Sequence, residues 1–236
     1  DRLYETLIES VGEDRAGMLQ SAYADAFSLS YREEFSTRTA VSDIEHIEQL
    51  SADNPLNVSF YRSLEDDPKA LRFKLFRRNR NIPLSDVLPM LEHLGLRVLG
   101  GRPYRIQKKD DATIWVYDFS VRYFGEAIIE IDKIKGKFQD AFLSTWQGLA
   151  EDDSFNRLVL SVGLSWREVA MLRAYARYFK QTGFAFSQTY IKDALVNHSH
   201  VTRLLVDFFE LRFALNQPAS DAAETELRDK IIEQLD

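Results

Sequence analysis

The chain has 236 residues, 45% of them hydrophobic and 28% charged, with a formal net charge of −7. That is ordinary for a globular chain of one or two domains, and the acidic balance, with neither half basic, argues against a nucleic-acid-binding domain. There is no cysteine, which excludes disulfides, thiolate nucleophiles and Cys-ligated zinc, and no apolar run approaches the roughly 20 residues of a membrane span.

Residues 1–38 read as an N-terminal helical segment. Leu3, Leu7, Ile8 and Val11 recur at helical spacing, and so do Met18, Leu19, Ala22, Tyr23, Ala26 and Phe27. Residues 39–124 read as one α+β domain. A helix runs over Asp43–Leu50 and Asn54-Pro55 breaks it. The period then changes to two. Val58 and Phe60, and after them Leu71, Phe73 and Leu75, alternate with other residues, which predicts two strands joined by the acidic loop Glu65–Pro68. Ser85 is placed to cap a short helix with Pro89 in its first turn, ended by Gly95. Strands follow at Leu96–Leu99 and Ile114–Val121, the second with Trp115, Tyr117, Phe119 and Val121 on one face. The order α-β-β-α-β-β suggests four strands with two helices on one face. It resembles the ferredoxin-like ACT sandwich with its order shifted, the last strand taking the place of the absent first one.

From Gly125 the pattern is helical, so residues 125–236 are expected to form an all-α domain. Ile128, Ile131, Ile134, Phe138, Phe142 and Trp146 fit one long amphipathic helix, and a short one opens at Asp152-Asp153-Ser154. Three more helices follow with their punctuation in the text. Ser165 and Glu168 have capping-box spacing, Gly183 suits a left-handed helix end, and Ser187 and Ser199 are candidate caps. Asn216-Gln217-Pro218 reads as a linker and Ser220 as the start of the last helix. The chain begins at Asp1 and stops at Asp236 inside helical patterns, which suggests a piece of a longer polypeptide.

Residue chemistry by itself names no site. His198 and His200 are two apart, on different faces of a helix, with no acidic or sulfur ligand at a familiar spacing; His46 and His93 stand singly. Lys69, Arg72, Lys74, Arg77, Arg78 and Arg80 form a run free of acids, which reads either as an anion site or, more often, as the solvated face of an edge strand. Gly100-Gly101 is followed by Arg102-Pro103-Tyr104 and lacks the G-x-G-x-x-G spacing of a dinucleotide turn; it suggests a tight turn or, in an ACT-like fold, an effector pocket. Tyr175, Tyr178, Phe179, Phe184, Phe186 and Tyr190 crowd one helical hairpin, as in a core, a domain interface or a ring-binding site. No catalytic, cofactor-binding or metal-binding residue is assigned.

Several segments, taken in order, resemble the large-subunit class of bacterial NAD-specific glutamate dehydrogenase. They are Tyr23, Ala26 and Phe27 with Tyr31 and Glu33; Ala40 with Asp43-Ile44; Leu84–Pro89 with Leu91-Glu92 and Leu94–Leu96; Arg102–Tyr104; Ile114–Phe119; and Leu164–Glu168 running through Arg173–Tyr175 to Tyr190-Ile191. The resemblance implies a segment N-terminal to the catalytic core, in a region of ACT-like modules and helical insertions. The family's catalytic lysine, aspartate and nicotinamide-site glycines have no counterpart here. It implies a regulatory or architectural part of an NAD-dependent, cytoplasmic oxidoreductase of amino-acid catabolism. The parent turns L-glutamate, NAD and water into 2-oxoglutarate, ammonium and NADH. NAD belongs to that parent, and no cofactor is expected in this segment. The expected partners are the catalytic domain of the same chain, further copies in a homo-oligomer and an amino-acid effector, with no nucleic acid and no membrane. A stand-alone amino-acid-binding ACT-type sensor and an oligomerisation scaffold are the alternatives.

Overall fold

The computed structural model describes residues 2–62, 70–109, 112–213 and 221–235. The acidic loop Glu65–Pro68, Lys69, the Asn216–Pro218 linker and the Ser220 cap lie outside them. The chain divides into two compact units, Asp1–Leu88 with Arg97–Arg122, and Pro89–Leu96 with Tyr123–Asp236.

The first unit opens with four helices, α1 (Arg2–Val11), α2 (Glu13–Tyr23), α3 (Leu29–Glu34) and α4 (Thr37–Glu48). Their starts are local chemistry. The hydroxyls of Ser28 and Ser36 accept the N–H of Tyr31 and of Thr39, the N-cap bond that satisfies an otherwise orphaned amide. The Ser36 cap starts α4 at Thr37, six residues before the expected Asp43. The apolar stripes close on one another: Leu7, Leu19, Tyr23, Ile44 and Ile47 are buried in a single cluster.

The strands are β1 (Leu56–Tyr61), β2 (Ala70–Arg78), β3 (Leu96–Gln107) and β4 (Thr113–Tyr123), in the order β1-β2-β4-β3. The last strand thus takes an interior position, as the shifted ACT order requires. β1 pairs antiparallel with β2, and β2 with β4, so the rows Val58–Leu75–Tyr117 and Ser59–Lys74–Asp118 run across the sheet. Alternation then fixes two faces. Val58, Phe60, Leu71, Phe73, Leu75, Phe119 and Val121 share one, and all are buried. The other carries Phe76, Ile114 and Val116 into the cluster built by α1–α4. The expected pairing of two helices on one face is corrected here. α4 lies with α1–α3 against the Phe76 face, and α5 (Leu84–His93) contributes no residue to that cluster. α5 also begins one residue before Ser85, so Ser85 is not its cap. Pro89 is its sixth residue, where the missing N–H leaves the Ser85 carbonyl without its helical donor.

β3 extends eight residues beyond the expected Leu99. Gly100-Gly101 is therefore strand and not turn, and Pro103 is tolerated because β3 is an edge. A Cβ on Gly101 would stand 2.7 Å from the Phe119 ring, so this glycine answers a close approach.

The second unit is helical: α6 (Ile131–Trp146), a 3-10 turn at Ser154–Arg157, α7 (Leu158–Val162), α8 (Trp166–Gln181), α9 (Gln188–Asn197), α10 (Ser199–Phe213) and α11 (Asp221–Glu233). Ile128 falls before α6 and is exposed; Ile134, Phe138 and Phe142 form its buried stripe. Gly163 ends α7 in the left-handed conformation, φ 76°. The Ser165–Glu168 capping box is present in both directions, and Ser187 caps α9 through the Tyr190 N–H. Ser199 is the first residue of α10 rather than its cap. Arg173 is buried and anchors the turn before α7: it donates to Asp153 at 2.8 and 3.0 Å and to Asn156 at 2.8 Å.

Candidate functional site

The most concentrated chemistry of the first unit lies beneath α3 and α4. Alternation on β2 points Arg72, Lys74 and Phe76 to the α4 face, and the register sets Lys74 beside Asp118. Lys74 is 1% exposed. Its ammonium donates to Asp43 Oδ2 at 2.6 Å and lies 3.8 Å from the centroid of the Phe35 ring. The Tyr31 hydroxyl donates to the same Asp43 oxygen at 2.5 Å. Asp118 is ion-paired with Arg72 at 3.1 Å and accepts from the Tyr61 hydroxyl at 3.2 Å. Arg72 also donates to Ser120 Oγ at 2.7 Å, and Glu34 accepts from Arg102 at 2.7 Å.

Burial pushes Asp43 above the ordinary carboxylate range, and the charge and hydrogen bond of Lys74 pull against it. Asp118 is raised for the same reason against Arg72 and Lys74. The Tyr31 phenol is raised by burial and then by the Asp43 charge. Two cations face two buried carboxylates, and both carboxylates are hydrogen-bonded. Such a network fastens helices to a sheet; it offers no free base and no nucleophile to a substrate.

Beside it, a cleft of about 280 Å³ opens among α1, α3 and α4, with Tyr31 and Phe35 in its wall and Arg2 and Arg32 on its rim. In the second unit a larger groove of about 460 Å³ runs between α8 and α10 over α9, its wall almost wholly apolar.

The candidates read from sequence now have addresses. The basic run is corrected: β2 is interior, so Arg72 and Lys74 face a protein network and neither a solvated edge nor an open anion site. His46 stacks on Phe76 at 5.2 Å, His93 Nδ1 lies 2.9 Å from Asp152 Oδ1, and His198 ends α9. Among the described residues no cluster of His, Asp and Glu could hold a metal ion. Gly100-Gly101 sits within an edge strand rather than between a strand and a helix, so it does not form a dinucleotide turn, and β1–β2 and β2–β4 are antiparallel pairs. The aromatic hairpin is exposed on this chain, Tyr178 at 59%.

Asp43, Lys74 and Asp118 escaped the sequence reading as a site, although the signal was present. Asp43 sits inside the stripe Ala40, Ile44, Ile47, and Lys74 lies in the run Leu71–Phe76.

An α+β module of ACT type between helical segments is thus defined. Residues 6–50 match the family described as glutamate dehydrogenase, helical motif 2; residues 55–134 match glutamate dehydrogenase, ACT3 domain; residues 150–215 match glutamate dehydrogenase, helical motif 3. The chain is 46% identical over its whole length to an NAD-specific glutamate dehydrogenase of Halomonas elongata, of which it covers 15%. It is 41% identical, over 95% of its length, to one from Pseudomonas aeruginosa, of which it covers 14%. It is 35% identical, over 81% of its length, to one from Mycobacterium tuberculosis, of which it covers 12%. The chain thus matches ACT3 and helical-motif regions of the kind found in glutamate dehydrogenases, and it spans 12–15% of the length of these relatives. Among the described residues no helix is long and apolar enough to cross a membrane.

Proposed function

We propose that this chain is a non-catalytic regulatory and architectural segment of a cytoplasmic, homo-oligomeric NAD-dependent glutamate dehydrogenase. Its parent oxidises L-glutamate with NAD and water to 2-oxoglutarate, ammonium and NADH, through a catalytic domain elsewhere on the same polypeptide. The segment comprises a helical lead-in (1–38), an ACT-like domain (39–124) and a helical domain (125–236). The observation that carries this reading is the buried Lys74–Asp43 and Arg72–Asp118 network, whose polar groups are spent on holding α3 and α4 to the sheet and β2 to β4. Its influence on the reaction is indirect: it orients the catalytic domain, builds subunit contacts, or shifts a population between conformations.

The test is glutamate-dependent NADH production by the isolated chain beside that of the longer polypeptide. Activity confined to the latter is expected, and turnover by the isolated chain refutes the reading. The cleft rimmed by Arg2 and Arg32 favours a second reading, an amino-acid sensor in which those guanidinium groups meet an effector carboxylate. Calorimetry against a panel of amino acids decides it: micromolar binding supports a sensor, and absence of heat leaves the architectural role.

A further inference from the structure

Among the described residues, α8, α9 and α10 leave apolar stripes uncovered. Ten-residue α9 fully buries only Lys192, and fifteen-residue α10 only Thr202 and Val206. Tyr175 and Phe179 on α8, Leu205, Phe209 and Phe213 on α10, and Leu195 on α9 line the groove. The apolar surface continues past the groove as a chain of rings, Phe179 to Phe184 at 5.4 Å, Phe184 to Phe186 at 5.2 Å and Phe186 to Tyr190 at 4.6 Å. Contiguous exposed apolar surface of this extent marks a macromolecular contact rather than a small-ligand pocket.

We infer that an amphipathic helix from another part of the same polypeptide lies in this groove. The groove has the shape for it. Each of its two walls is a helix presenting an apolar i, i+4 stripe, the arrangement that receives a third helix along a common seam. The occupant's source follows from length: the relative 46% identical over the whole chain is more than six times as long, since the chain covers 15% of it. A tethered segment works at millimolar effective concentration and needs little intrinsic affinity. At the groove's end Arg212 reaches Glu224 only at 3.9 Å, so its guanidinium is placed to take an acidic side chain of the incoming helix.

The inference rests on the reading that this chain works inside a longer dehydrogenase polypeptide. Its test uses the absence of cysteine in these 236 residues. Phe186→Cys and Phe213→Cys report on the patch, and Leu149→Cys, 65% exposed in the wild type, is the control. Each is labelled with a maleimide in the isolated chain and in the longer polypeptide, and the labelled peptide is quantified by mass spectrometry. Patch labelling at least tenfold slower in the longer polypeptide, with the control changed less than twofold, is expected. Equal patch rates in both overturn the inference. So does protection already present in the isolated chain: if it grows with concentration the occupant is a second copy, and if it does not the groove is closed from within or by a small molecule. Hydrogen exchange of α8 and α10 in the unsubstituted proteins gives the same comparison should a cysteine variant fail to fold. NADH production from glutamate by the same long polypeptide is read separately. A preparation that turns over but labels at the isolated-chain rate refutes the groove alone.

Discussion

Removing the Asp43 carboxylate should cost the first unit far more than removing the whole Lys74–Asp43 pair. At 2.6 Å, two unit charges attract by about 6 kcal/mol at an effective dielectric near 20. Burying each ion costs several kcal/mol, so attraction and desolvation nearly cancel. Asp43→Ala breaks that balance: Lys74, 1% exposed in the wild type, loses its hydrogen-bonded counter-charge and keeps only Asp118 beside it, and the Tyr31 hydroxyl loses its acceptor. A loss of about 3–5 kcal/mol is expected, or roughly 6–20 °C in melting temperature at 2–4 °C per kcal/mol for a chain of this size. The double variant Asp43→Leu with Lys74→Met should recover most of it. Thermal melts give the overall loss, and hydrogen exchange of the α4 and β2 amides assigns it to this unit. An Asp43→Ala loss below about 1 kcal/mol, or a double variant no better than the single, would refute the reasoning.

Gly101→Ala should destabilise by about 1–3 kcal/mol, because its Cβ would meet the buried Phe119 ring at 2.7 Å; a melt unchanged within error refutes it. Ser165→Ala should cost about 1 kcal/mol through the lost α8 cap, measured by urea titration. Burial pushes Glu168 up, but the Ser165 N–H at 2.6 Å and Arg203 hold it below the ordinary range. A lowered carboxylate stabilises above its unfolded value of 4.5 and loses that contribution as pH falls through the folded one. The stability difference between wild type and Glu168→Gln should therefore stand at pH 6 and close in acid; a gap that widens in acid has the wrong sign. Arg173→Lys should cost about 1.5–3 kcal/mol, because an ammonium cannot reproduce the fork to Asp153 and Asn156. A circular-dichroism melt checks it.

The helices and the strand order were legible where one face is buried and the punctuation is local. Ser165, Glu168 and Ser187 act through amides three residues away, so their caps are written in adjacent text. β3 was cut short at Leu99 because Gly100-Gly101 and Pro103 carry turn chemistry, and only the edge position admits them. The charges of β2 were misread for a related reason. Lysine on an edge strand and lysine on an interior strand look alike in sequence; what separates them is Asp43, thirty-one residues away, and no periodicity links the two. The aromatic hairpin was legible as a cluster but not as an exposed one, since burial depends on partners that the local spacing does not name.

Under the regulatory role proposed above, the buried network limits how this unit could respond. Asp43 and Asp118 already accept hydrogen bonds from Lys74, Tyr31 and Tyr61, and Asp118 is ion-paired with Arg72, so a ligand entering that face would have to break a buried pair. Uncompensated, that costs about 3–5 kcal/mol, whereas couplings between regulatory and functional sites are typically 1–3 kcal/mol. A signal of ordinary size cannot open the network. It can only move α3, α4 and the sheet together as one body, because a close-packed unit transmits displacement rather than absorbing it. On the proposed regulatory role, an effector would therefore be met at the surface of this unit, where Arg2 and Arg32 line the cleft and Arg32 already donates to the Phe27 and Ala24 carbonyls.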